Sequence, residues 1–303
     1  REIHDSNNTI ADPGTLTRNE GGTVSGIQDV DNAYDFLGDI YNFYFIEHGR
    51  DSIDGNSMLL SATVRYCAPS EACPYANAFW DDTGLRLYFG DGFTADDVVG
   101  HEYTHGVTEF ESNLIYENHS GAINESLSDV WGEFIDLSNN AGTDTALVRW
   151  EIGEDITIGA IRDMSNPPVL GDPDRMHHPN FIQPVSNPDD TNDYGGVHTN
   201  SGVNNKLAYL LTDGDTFNGR TITGMGINRI ADLYYEVNSN LLLSGANYTD
   251  LYNALTQAAI NLGWTNSDRN NLYKACLAVE IVPVIQLPDT GQTKCYQGVS
   301  PWA

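Results

Sequence analysis

Two histidines four residues apart, with a glutamate directly after the first, sit in the stretch "VVGHEYTHGVTEFES" from Val98 to Ser112. If the two imidazoles act together, this spacing demands a helix, because positions i and i+4 lie one above the other on one helical face. Glu102 then projects about 100° round from His101, within reach of a group held between the rings. The pattern supplies two nitrogen ligands for zinc and a carboxylate able to take a proton from zinc-bound water. A solvated face carrying two chance histidines would read the same over five residues, so the rest of the chain has to decide. A catalytic zinc needs three protein ligands and one open position. Glu125 lies twenty residues beyond His105, inside "GAINESLSD", and Asp129 follows it at i+4. One helical face can therefore offer a third ligand and a carboxylate that orients an imidazole from behind.

The charge balance removes whole classes of partner. Lys+Arg 14 against Asp+Glu 43 leaves a net charge of −29, and only Lys206, Lys274 and Lys294 are lysines. Phosphate backbones and anionic membranes would be repelled, so no nucleic-acid or membrane-surface role is expected. Such acidity suits an extracellular protein in salty water, or one that binds calcium. No apolar run reaches the length of a membrane span. Arg1 in place of Met suggests a processed, secreted protein whose signal and pro-segments are gone. The four cysteines show no CxxC spacing and allow three pairings. Cys67–Cys73 and Cys276–Cys295 are favoured as local staples, which fits an oxidising compartment.

Along the chain, residues 1–25 are polar and turn-rich, with weak structural signal. Residues 29–50 repeat apolar side chains at helical spacing through Ala33, Phe36, Leu37, Ile40, Tyr44 and Phe45. Short strand-like runs follow in "MLLSATVRY", "NAFW" and "LRLYFG". Thr94 or Asp96 could cap the histidine helix, and residues 121–137 read as another helix. A glycine- and proline-rich region over 153–202 precedes helices near 203–211, 226–237, 249–262 and 267–279. Strands first and helices later predict an α+β protein of two lobes. The β-rich N-terminal lobe would span 1–111 and end in the HExxH helix. A mainly helical C-terminal lobe would span 112–303, with the HExxH helix at the cleft between them.

The words "NAFW", "DVVGHEYTHGVT", "LIYENHSGAINESLSD", "WEIGED", "IRDMSNP", "GDPD" and "YGGVHTNSGVNNKLAYLL" run in one order from Asn77 to Leu211. With them the sequence resembles the thermolysin family of secreted neutral metalloendopeptidases. The resemblance implies zinc on His101, His105 and Glu125, and Glu102 as general base. It implies Asp129 behind His101 and Asn124 behind His105. Tyr116 and His198 would donate hydrogen bonds to the developing oxyanion, with Asp193 orienting His198. Arg162 would bind the substrate carbonyl past the scissile bond, and Asn77 and Ala78 would hold the substrate as an added strand. Val98, Ile152, Ile156 and Ile161 would line an apolar pocket for a bulky residue on the leaving side. The implied function is hydrolysis of internal peptide bonds on the amino side of such residues. Protein or peptide substrates, a removed pro-segment acting as inhibitor or chaperone, and a monomeric state follow from the same likeness.

The resemblance also implies structural calcium, with Asp97, Glu133, Asp136, Glu151 and Glu154 as candidate carboxylates. Calcium takes 6–8 oxygens, so backbone carbonyls or water would complete the shell. Arg149 stands where some relatives carry a calcium-binding aspartate, so one ion is expected in place of two. The region before Ser57 matches the family poorly, and the stretch between Phe93 and Asp97 is shorter than in the family. Zinc aminopeptidases share HExxH and a downstream glutamate, but their Gly-x-Met-x-Asn strand is absent from the sequence. An inactive binding module would be expected to have lost the base or a ligand, and neither is missing.

Overall fold

The computed structural model describes residues 1–283. Its N-terminal part holds a five-stranded sheet built from β1 (Glu2–Thr9), β2 (Thr15–Asn19), β3 (Ser61–Tyr66), β4 (Ala78–Asp81) and β5 (Arg86–Phe89). The strand order is β2-β1-β3-β5-β4, with β1, β3 and β5 parallel to one another and both edge strands antiparallel to their neighbours. The polar first 25 residues thus contain two strands that the pattern did not announce. Ile3 is buried in β1 beside His4 and Ser6. Arg86 Nη1 donates to His4 Nδ1 at 2.9 Å, Ser6 Oγ donates to the Ala11 carbonyl at 2.5 Å, and Asp5 pairs with Arg65. These polar groups enter the sheet because each finds a partner there.

Helix α1 (Gln28–His48) packs across this sheet. Its buried Val30, Ala33, Tyr34, Leu37, Ile40 and Tyr44 follow the helical repeat read from the sequence. Gly49, at φ 68°, takes the left-handed conformation that ends the helix. Two long helices follow the sheet, α2 (Asp96–Phe110) and α3 (Asn118–Asn139). After β6 (Glu151–Ile152) and β7 (Arg162–Asp163) come α4 (Asp193–Thr212), the hairpin β8 (Gly214–Phe217) and β9 (Arg220–Thr223), α5 (Ile227–Glu236), α6 (Tyr248–Asn261) and α7 (Asn266–Ala278). The result is the expected α+β arrangement of a β-rich N-terminal region and a helical C-terminal region. No helix of the described residues is long and apolar enough to cross a membrane. Cys67 and Cys73 form a disulfide with Cα atoms 5.4 Å apart. Cys276 is buried in α7, and its expected partner Cys295 lies outside the described residues.

Neither expected residue caps α2. The N-cap is Ala95, which has no side-chain acceptor. Thr94 Oγ1 instead donates to Asp29 at 2.7 Å, while Asp96 lies in the first turn and accepts from Asn139 at 2.8 Å. Asp96 and Asp97 there still oppose the positive end of the helix dipole.

Helix α2 is buried on nearly all sides, and the reason is a glycine contact with α3. A Cβ built on Gly100 would lie 2.9 Å from Gly132 Cα, and one on Gly132 would lie 2.5 Å from the Asp97 carbonyl oxygen. Without side chains at both positions the two backbones touch, which brings residues of α3 within bonding distance of the α2 histidines. Gly132→Ala should therefore push the helices apart and destabilise the fold by about 1–3 kcal/mol, as overpacked cores do. Denaturant unfolding checks this, and an unchanged midpoint and slope would show that the contact tolerates a methyl group.

Candidate active site

His101 and His105 project from α2, and Glu125 from α3, into one point. The two Nε2 atoms are 2.9 Å apart, and each lies 3.4 Å from a Glu125 carboxylate oxygen. All three ligand atoms fall within 4.8 Å of one another, the one such grouping of His, Cys, Asp or Glu among the described residues. Tetrahedral zinc with bonds of about 2.0–2.1 Å needs ligand atoms roughly 3.3 Å apart, so the triangle fits. Buried Glu125 Oε2 has no hydrogen-bond partner, as expected of an atom reserved for a cation.

The other ring nitrogens are already engaged. His101 Nδ1 donates to Asp129 at 2.8 Å and His105 Nδ1 to Asn124 at 3.0 Å, which leaves both Nε2 lone pairs facing inward. Asp129 is itself shared. Arg162 grips it with Nε and Nη2 at 2.7 and 2.6 Å, and Asn205 Nδ2 donates at 2.7 Å. Burial opposes the Asp129 charge, but Arg162 and His101 hold its carboxyl down to about 2. Burial likewise opposes a charge on His101, yet the carboxylates of Asp129 and Glu125 beside it raise its pKa to about 10. Glu125 is held well below the usual range despite its burial, by His198, His105 and His101.

Glu102 is buried beside the ligands, and that burial raises its pKa, only partly offset by His101 and His105. A carboxylate stripped of water in this way is a stronger base. Tyr116 Oη donates to Glu125 Oε1 and lies 3.1 Å from His198 Nε2. His198 Nδ1 is 2.5 Å from Asp193, which also accepts from the His198 and Thr199 backbone N–H groups at 3.1 and 3.2 Å. Glu125, and then Asp193, favour the protonated form of His198 and raise its pKa. A left-handed run delivers this pair. Asp193, Tyr194, Gly195 and Gly196 have φ of 54°, 48°, 84° and 84°. The L-residues among them cost about 1–2 kcal/mol each. The glycines are also sterically required, because a Cβ at 195 would meet Asn118 Oδ1 at 2.3 Å and one at 196 would meet Ile182 at 2.8 Å.

These groups line a cleft of about 610 Å³, together with Asn77, Ala78, Val98, Ile152, Ile156, Ile161 and Arg162. Asp129 and Asp193 stand behind it. Strand β4 borders the cleft as a sheet edge, and among the described residues it pairs with β5 alone. Arg162 spends two nitrogens on Asp129, leaving Nη1 as the one that Asp129 does not engage. Sequence reasoning missed Asn205, and it missed Lys206, whose Nζ donates to the Ser165 carbonyl at 2.7 Å and so steadies the segment after Arg162. Both lie in "GVNNKLAYLL", part of one of the stretches that carried the resemblance.

The remaining expected carboxylates gather at the other end of the α2–α3 contact. Asp97 accepts from the Gly153 N–H, Glu133 Oε1 accepts from Trp150 N at 2.9 Å, and Asp136 is hydrogen-bonded to Asp144. Buried oxygens of Glu133, Asp136 and Glu154 lack partners. Oxygens of Asp96, Asp136 and Asp155 crowd round Gly142, so the group includes Asp96, Asp144 and Asp155, which sequence reasoning left out. Glu151 differs from expectation. It pairs across β6–β7 with Asp163, its main charged neighbour, so its carboxylate stands apart from the rest. Arg149 turns to Asp213, at 2.9 and 3.0 Å.

Residues 2–109 match the catalytic domain of the thermolysin metallopeptidases, and residues 112–281 match their alpha-helical domain. The chain belongs to the thermolysin metallopeptidase family. The match starts at residue 2, so it includes the region before Ser57 in which little likeness was expected. A zinc metalloproteinase of Renibacterium salmoninarum is 47% identical over 255 residues, covering 80% of this chain and 46% of that protein. Thermolysin of Alicyclobacillus acidocaldarius is 39% identical over 264 residues, covering 82% and 45%. The chain therefore spans about half the length of these relatives. The solved precursor of protealysin, a metalloproteinase from Serratia proteamaculans, superposes with a TM-score of 0.74 at 30% identity, covering 93% of this chain and 87% of that one. Zinc is the metal that both the thermolysin family and the His-His-Glu triangle support.

Asp129→Asn should keep the fold while weakening zinc binding by about 10–100-fold, the usual effect of losing a group that orients a ligand imidazole. Competition with a chromophoric chelator measures this. Unchanged affinity would remove Asp129 from the metal site.

Proposed function

We propose that the protein is a zinc endopeptidase that cuts internal peptide bonds on the amino side of bulky apolar residues. The observation that carries this reading is the His101–His105–Glu125 triangle at the floor of a cleft bordered by a free sheet edge. A substrate strand adds to the edge of β4, with Asn77 and the Ala78 backbone holding its main chain. Its leaving-side residue enters the pocket of Val98, Ile152, Ile156 and Ile161. Arg162 Nη1 meets the next carbonyl. His101, His105 and Glu125 would hold the zinc, which when bound would supply a Lewis acid for the scissile carbonyl and for water. Glu102 takes the proton from the attacking water and returns it to the leaving nitrogen. Tyr116 and protonated His198 donate to the oxygen that becomes negative, where losing one donor costs about 10²–10³-fold in rate. The Cys67–Cys73 disulfide supports a secreted, oxidising setting.

The carboxylates around Asp97, Glu133, Asp136 and Glu154 form the second half of the proposal, as a site for one structural calcium. Supporting it are an all-oxygen donor set and buried oxygens left without partners.

Casein should yield internal fragments, where an aminopeptidase would release single residues. Glu102→Gln should keep its zinc and lose nearly all turnover, whereas Glu125→Ala should lose both. Elemental analysis beside the casein assay separates the cases, and an active, zinc-loaded Glu125→Ala would refute the ligand set. A peptide library should show Leu, Phe, Ile or Val just after the cut, and a charged residue dominating there would refute the pocket.

Burial, with neighbouring carboxylates adding to it, raises Asp97 to about 7, Glu154 to about 8 and Asp136 to about 12. A calcium-free folded chain therefore keeps protons that the unfolded chain releases above about pH 4. Its stability should fall as pH rises from about 4 towards 8, and calcium should flatten that slope. Thermal melts across this range, with and without a calcium-selective chelator, read both effects. Identical pH curves would mean that no cation binds there.

A further inference from the structure

Residues 140–150 connect α3 to β6 over the outer surface, and they are tied down only towards their ends. Thr143 Oγ1 donates to Asp155 at 2.7 Å, and Asp144 meets Asp136. At the far end Arg149 is gripped by Asp213. One turn closes as Glu151 N donates to the Val148 carbonyl at 2.8 Å, after another in which Val148 N and Arg149 N share the Thr145 carbonyl at 3.1 and 2.9 Å. Leu147 stands on this turn at 89% exposure, the highest of any large apolar side chain among the described residues. Full burial of a leucine is worth about 1.5–3 kcal/mol, and that gain is forgone here.

We propose that the Ala146–Leu147 bond is the first bond that one copy of this chain cuts in another. The inference rests on the endopeptidase reading and on its preference for a bulky apolar residue after the cut. In the reaction, water adds across the amide. The C–N bond breaks, Ala146 becomes a carboxylate and Leu147 gains a free amine, and no further reactant is needed.

A strand-adding cleft accepts only backbone that can extend, and that requirement separates Leu147 from its rivals. Ile46 is 73% exposed but lies inside α1. Leu243, at 79%, is held on both sides: its carbonyl accepts from Ala246 N at 2.9 Å and the next carbonyl from Ile115 N at 2.8 Å. Val24, at 71%, is followed by two N–H groups, of Ser25 and Gly26, both fastened to Asp31 at 2.9 Å. At Leu147 every backbone tie is local, because the Thr145 carbonyl takes Val148 N and Arg149 N and the Val148 carbonyl takes Glu151 N at 2.8 Å, so no side chain or distant segment has to let go. Thr145 and Ala146 before it are small and uncharged, so nothing bulky opposes entry. The cut would also sever the link between the Asp144 anchor and Trp150, whose N–H holds Glu133, and so loosen the carboxylate group.

Concentrated wild-type protein, sampled over time by intact mass and amino-terminal sequencing, tests this directly. Leu147 should be the first new amino terminus, and the initial rate should rise with the square of concentration. Leu147→Asp should slow the first cut by at least about tenfold, the scale of losing an apolar pocket contact, with casein cleavage unchanged. A wild type that cleaves casein but is first cut elsewhere, or a Leu147→Asp protein that fragments at the wild-type rate, overturns this inference alone. A wild type that cleaves no casein overturns the endopeptidase reading and self-cleavage with it. The inert Glu102→Gln chain, incubated with a trace of wild type, should be cut at Leu147, and an intact chain there would overturn cutting between copies.

Discussion

Asp129 is the point at which four elements of the helical part meet. From α3 it takes hydrogen bonds from His101 of α2, Arg162 of β7 and Asn205 of α4, and it is completely buried. Burying a carboxylate costs several kcal/mol unless its lone pairs are filled, and here a two-pronged guanidinium, an imidazole and an amide fill them. The same contacts fix geometry. They turn His101 so that Nε2 faces Glu125, and they hold Arg162 against the cleft wall. Removing Arg162 or His101 would leave the Asp129 carboxylate short of compensation, so the orientation of His101 and the position of Arg162 depend on each other.

The chain buries its other acids in a different way. Around Asp97, Glu133, Asp136 and Glu154 no guanidinium plays the part of Arg162, since Arg149 is spent on Asp213. Among the described residues, backbone N–H groups, an asparagine, a threonine hydroxyl and a hydrogen bond between carboxyls compensate. The two groups therefore respond oppositely to burial. Asp129 is pulled below the usual range, and the acids of the second group are pushed above it. A net charge of −29 is tolerable on a solvated surface, but not inside such a pocket unless protons or a cation balance it.

The histidine helix, its partner helix and the short strands after residue 60 were legible because their spacing is local. The zinc triangle was legible for the same reason: i, i+4 and a motif at fixed distance suffice. Strand β1 was not, since "EIHDSNNT" acquires its buried polar residues through Arg65 and Arg86, partners far along the chain. The Ala95 cap escaped notice because Thr94 is drawn away by Asp29, 65 residues earlier. Asp96, Asp144 and Asp155 join the acidic group only through the fold around Gly142, where three segments converge. Glu151 reads as a ligand in sequence, yet the β6–β7 pairing turns it to Asp163. Periodicity reports which face a residue takes, and long-range partners decide what meets it there.

One seam joins the two centres. On α2, Asp97, His101 and His105 repeat at i, i+4 and i+8, and on α3 Glu125, Asp129, Glu133 and Asp136 share a facing stripe. The helices run in opposite directions, so His105 and His101 meet Glu125 and Asp129 while Asp97 faces Glu133. Four residues of helix separate Asp97 from His101, a rise of about 6 Å. Between them lies the Gly100–Gly132 contact, where no side chain can absorb a shift. Repulsion that parts the helices at the acidic end must therefore be transmitted through touching backbones to the histidines. A cation among these carboxylates, as proposed, would act on His101 and His105 only through this backbone packing.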